Sequence, residues 1–155
     1  MSQTWNWLLY DVPDNREFLL ALEHLFPQDS FLVLEFVAVP DSLAREISSL
    51  GLRLPKDCTL ASKARKTGCS RGCTLNFWLT RHWLRLVFGS EKRWANEVRL
   101  HLEHVHVMRN QTYLMIGYDL GTDDGFVVTQ SVPEEEIERF CTRVSCSYKR
   151  TLESM

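Results

Sequence analysis

Residues 31–39 read Phe-Leu-Val-Leu-Glu-Phe-Val-Ala-Val. The run is rich in aromatic and β-branched side chains, and Glu35 is its one charge. That pattern predicts a strand buried on both faces, with neighbours along both edges. Residues 5–10 open the chain as a shorter apolar, aromatic strand. Asp11, Pro13, Asp14 and Asn15 supply turn and cap chemistry. Phe18, Leu19, Leu22, Leu25 and Phe26 then recur at helical spacing, and Pro27 closes a helix over 14–26.

Beyond residue 39, Pro40-Asp41-Ser42 opens a helix over 41–50, ended by Gly51. The same device, Val132-Pro133 followed by Glu134, Glu135 and Glu136, opens a helix over 133–145 carrying Ile137, Phe140, Cys141 and Val144. Capping physics accounts for this recurrence without a duplicated unit. Residues 113–120 and 126–129 form the clearest hairpin, joined by Gly121-Thr122-Asp123-Asp124-Gly125. Alternation over 74–88 favours two strands, 74–80 and 83–88, with a single helix as the alternative. Residues 91–99 read as a helix with Trp94 and Val98 on one face, and 98–107 fits a strand with a slip at Glu103-His104. The sum is an α+β fold: a single domain over 1–155 with a mixed, mostly antiparallel sheet flanked by about three to four helices. A polar, basic loop at about 55–73 interrupts it.

The chain has 155 residues, 45% hydrophobic and 25% charged. A chain this long buries roughly 70% of its unfolded surface, enough for a core without staples. The N-terminus lacks a basic leader and Asp11 breaks its apolar run, so no signal peptide is expected. No stretch approaches the ~20 apolar residues of a membrane span. Five cysteines, an odd number, fit reduced thiols, so a cytoplasmic location is expected.

The net charge of −2 conceals a block pattern. Residues 1–52 carry −6, 53–99 carry +8 and 100–155 carry −4. The middle block holds eleven basic side chains against three acidic ones. Either it folds against the acidic ends, or it faces an anionic partner.

Cys58, Cys69, Cys73 and His82 contain one zinc-like knuckle, Cys69-x3-Cys73, but zinc sites usually need two. Ordinary thiols are the better reading. Cys141 and Cys146, five apart on one continuous helix, lie about 140° apart around its axis and do not share a face. Each reads as a core or partly buried residue. His101 and His104 share a helix face, whereas His104 and His106 share a strand face. A polar face is preferred there over a metal site. No Gly-x-Ser-x-Gly elbow, phosphate loop or dinucleotide fingerprint occurs. Asp119, Asp123 and Asp124 read as a solvated turn. No catalytic residue, metal or cofactor is assigned.

The most suggestive feature is the interleaving of Phe77, Trp78, Trp83, Phe88 and Trp94 with Arg81, Arg85, Lys92 and Arg93. Strand alternation would put Arg81, Trp83 and Arg85 on one face. Trp and Arg are enriched at interface hot spots. The favoured reading is a protein-binding or regulatory module: an adaptor, inhibitor or immunity-type accessory protein engaging an acidic protein surface. Its contact residues would be Lys63, Arg65, Lys66, Arg71, Arg81, Trp83, Arg85, Arg93 and Trp94. Single-stranded nucleic acid is the alternative, since its sites combine stacking faces with cations. The sequence pI near 6.2 weighs against it. A small enzyme with an unrecognised site comes last.

Overall fold

The computed structural model describes residues 4–36, 73–117, 125–153 and 155. The expected helix at 41–50, the outer part of the 31–39 strand, and most of the 55–73 loop lie outside the described residues. So do Cys58, Cys69 and the proposed contacts Lys63, Arg65, Lys66 and Arg71.

Among the described residues, seven strands form one sheet: β1 (Asn6–Tyr10), β2 (Phe31–Phe36), β3 (Cys73–Trp78), β4 (Leu102–Arg109), β5 (Thr112–Gly117), β6 (Phe126–Val128) and β7 (Ser147–Thr151). Their spatial order is β3-β2-β4-β5-β6-β1-β7. Four α-helices among the described residues accompany them: α1 (Asn15–Leu20), α2 (Arg81–Leu84), α3 (Arg93–His101) and α4 (Glu134–Val144). The expected α+β architecture is present, and every pairing among the described strands is antiparallel. No helix among the described residues is long and apolar enough to cross a membrane.

Local chemistry sets the element boundaries. The Glu17 backbone N–H donates to the Asp14 carboxylate at 3.1 Å, which caps α1. The chain then tightens into a 3-10 turn, Ala21–His24. Phe18 carries this layer into the core, stacking on Phe126 at 4.1 Å and meeting Phe140 edge-on at 5.2 Å. Strand β2 is paired on both sides, by β3 and β4, and Leu32, Val33 and Leu34 are fully buried. This is the placement the apolar run predicts. β4 turns into β5 through Asn110 and Gln111, both with positive φ, the two-residue geometry that suits a right-twisted hairpin.

Residues 83–88 form no strand, and this corrects the alternation reading. The Trp83 backbone N–H donates to the Thr80 hydroxyl at 3.3 Å, capping α2. The helix continues through a π turn, Arg85–Gly89. Leu84, Val87 and Phe88, at helical spacing, are the buried residues. α3 then runs directly into β4 without a loop, so the two readings of 98–107 overlap a real junction.

At the C-terminal end, Pro133 and three glutamates open α4, and Ile137, Phe140, Cys141 and Val144 face the core, as the sequence predicts. Ser145 ends it in the left-handed conformation, with φ 57° and ψ 37°. The Cys146 backbone N–H donates to the Cys141 carbonyl at 3.0 Å. This is a Schellman cap, which folds the chain back so that the residue after the left-handed one meets the helix three positions before its cap. Cys141 and Cys146 are therefore brought together. The one-helix projection that separated them fails because the helix ends between them.

Candidate functional site: a cationic cleft beside the sheet

On the outward side of α2 and the π turn, Arg81, His82, Arg85, Leu86, Gly89 and Ser90 line a cleft of about 450 Å³. Residues three and four apart share a helix face. The same spacing that buries Leu84, Val87 and Phe88 therefore leaves this stripe facing outward. The Ser90 hydroxyl donates to the Leu86 carbonyl at 2.7 Å and closes the turn. From α1, the Arg16 guanidinium donates to the Gly89 carbonyl at 3.2 Å and lies 4.0 Å from Glu91, bordering the cleft. Its place in the acidic N-terminal block hid Arg16 from the charge pattern.

The proposed contacts divide. Arg81 and Arg85 are exposed and line the cleft. Arg81 also lies 3.8 Å from Glu23, so part of the basic block is neutralised by the acidic end. Arg93 is exposed but sits on α3, paired with Glu97 at 3.4 Å, and does not line the cleft. Trp94 is a correction. It is 4% exposed and packs in the core, because it opens the buried face of α3 that continues through Ala95 and Val98. Trp83 is half-buried against the core, with its ring 5.4 Å from Phe77. The helical step of about 100° turns it away from Arg81 and Arg85, so the three do not share a face. Trp78 is the exposed tryptophan among the described ones, at 47%, stacked on Phe31 at 4.4 Å.

A second polar group lies on the sheet face opposite α1. Glu35 and His106, each 1% exposed, are in contact at 3.0 Å through Oε1 and Nε2. The Gly117 backbone N–H donates to His106 Nδ1 at 3.4 Å. That bond leaves the ring proton of a neutral imidazole on Nε2, the side of Glu35. The contact is nevertheless poorly aligned, and among the described residues no aligned donor meets either Glu35 carboxylate oxygen. Its strength is that of close charge and dipole rather than of a directed hydrogen bond. The ring of His104 lies 6.2 Å from that of His106, which bears out the shared strand face. Asn76, on β3, is 7% exposed, and its amide meets no hydrogen-bond partner among the described residues. Glu35 was visible in sequence only as the one charge in an apolar run. Asn76 gave no signal at all.

Among the described residues, no group of three His, Cys, Asp or Glu side chains is placed to hold a metal ion. His82 of the zinc-like set stands at the cleft, while Cys58 and Cys69 lie outside the described residues. No protein-family model matches this chain, and no curated protein or solved structure matches it either.

Proposed function

We propose that this chain is a protein-binding or regulatory module that receives an acidic segment of a partner protein in the cleft of α2 and the π turn. The observation that supports this reading most is the placing of Arg81 and Arg85 on one exposed helix face, around a concavity walled by Leu86 and Gly89. A planar guanidinium grips carboxylates in a bidentate fork. A partner segment with acidic and apolar side chains would use both parts of the cleft. Single-stranded nucleic acid is the weaker reading. Trp94 is buried and Trp83 half-buried, so two of the aromatic faces it needs are engaged in packing.

The test is a fluorescence-anisotropy titration with a labelled Glu- and Leu-rich peptide and, separately, a labelled single-stranded oligonucleotide. The peptide binds the native chain, and the Arg81→Glu/Arg85→Glu variant binds it at least about tenfold more weakly. Arg93→Glu binds nearly as the native chain does. Equal losses for both variants would replace the cleft with diffuse charge attraction. Binding of the oligonucleotide alone, weakening steeply with salt, would replace the protein partner with nucleic acid.

A further inference from the structure

We propose that Cys141 and Cys146 form an intramolecular dithiol that a peroxide oxidises to a disulfide, joining the end of α4 to the start of β7. A side-chain contact between these two positions frequently accompanies a Schellman cap. Here both are cysteines, and both are free thiols in this structure. Cys141 is buried, whereas Cys146 is half-buried and so partly accessible to a small oxidant.

The two thiols are chemically unequal. The Cys141 S–H donates to the Cys146 sulfur, which lowers the Cys146 thiol below its ordinary range. The same bond, together with burial, pushes Cys141 up. The helix C-terminus works the other way, since its partial negative charge disfavours a thiolate. The thiol hydrogen bond is short-ranged and acts directly on the sulfur. Cys146 is thus the attacking thiol and Cys141 the resolving one, the usual division in a redox-sensitive pair.

The steps balance. The Cys146 thiolate attacks one peroxide oxygen, an S–O bond forms, and the O–O bond breaks. With hydrogen peroxide the leaving hydroxide takes up a proton and departs as water. The Cys141 sulfur then attacks the sulfenic sulfur of Cys146. An S–S bond forms, the S–O bond breaks, and the Cys141 proton leaves with the hydroxyl group as a second water. Two thiols lose two electrons, and the peroxide gains them.

The full native chain is treated with hydrogen peroxide, alkylated and digested with trypsin. Cleavage after Arg139, Arg143 and Lys149 puts the two cysteines on separate peptides, 140–143 and 144–149. A disulfide between them appears as one linked species. Before oxidation, iodoacetamide labels Cys146 roughly tenfold faster than Cys141. Ser145→Gly keeps the left-handed turn and the linked species, whereas Ser145→Val strains it and slows linkage several-fold. The proposal is overturned if peptides 140–143 and 144–149 stay separate. It is also overturned if Cys146 runs on to sulfinic acid, pairs with Cys58, Cys69 or Cys73, or links at the same rate in Ser145→Val.

Discussion

Strand β2 is buried on both faces, with different chemistry on each. On one side Leu32 and Leu34 join the large apolar cluster with Phe18, Phe126 and Phe140. On the other, Val33 and Met108 form a small apolar group beside Glu35, His106 and Asn76. The apolar side gains stability from removed area, roughly in proportion to what is buried. The polar side holds charge and amide groups out of water, and there Glu35 and His106 offset each other's burial as a pair. Truncation on the first side should cost what the removed atoms contributed. On the second side, removing one partner should cost more than removing two.

The largest expected effect is Phe18→Ala. Phe18 is fully buried between two other rings, and its loss should lower the unfolding free energy by about 3–5 kcal/mol in urea titrations. A loss under 1 kcal/mol would mean that this face is not the main core. Next comes a double-mutant cycle. His106→Leu leaves Glu35 facing an apolar side chain and should cost about 3 kcal/mol, while Glu35→Leu/His106→Leu should recover most of it. If the double variant is as unstable as the single one, the pair is not the coupled unit described.

The contrast also explains what the sequence made legible. Helix α4 was readable because Pro133, the three glutamates and Ile137, Phe140, Cys141 and Val144 all pointed to one answer. The 31–36 stretch was readable for the same reason. Residues 81–89 were not, because over so short a window Arg81, Trp83 and Arg85 fit a strand while Leu84, Val87 and Phe88 fit a helix. The Thr80 cap decides between them. β7 reads Ser-Tyr-Lys-Arg-Thr, with no apolar run to announce it, and it forms by pairing along β1. Of the basic, aromatic stretch, Arg81 and Arg85 lie at the cleft, on a helix rather than on the strand that alternation suggested. The same stretch misplaced Trp94, since composition carries no direction.

A smaller effect concerns the β4–β5 turn, which joins strands that contribute to both faces. Gln111 holds φ 63° there, a conformation that costs a side-chain-bearing residue about 1–2 kcal/mol. Gln111→Gly should therefore stabilise the fold by about 0.5–1 kcal/mol, after the greater freedom of glycine in the unfolded chain is counted. A destabilised variant would mean that the Gln111 side chain contributes more than the strain costs.

The smallest effect belongs to an exposed pair. Arg109 donates to Asp29 at 2.8 Å and holds its carboxyl below the ordinary value of 3.8. A carboxyl depressed on folding stabilises above its unfolded pKa and loses that contribution as pH falls through the folded one. Arg109→Gln should lower Tm slightly at neutral pH, and the difference should shrink as pH falls below 3.8 and the Asp29 carboxyl takes up its proton. A difference that stays constant with pH would assign the effect to packing of the arginine stem.

The most direct test of the binding account is an amide NMR titration of the native chain with the Glu- and Leu-rich peptide. The predicted result is a set of shifts centred on Arg81, His82, Arg85, Leu86, Gly89 and Ser90, reaching Arg16 across the cleft. Shifts that leave these residues still and cluster instead around Trp78 and Phe31 would contradict the account.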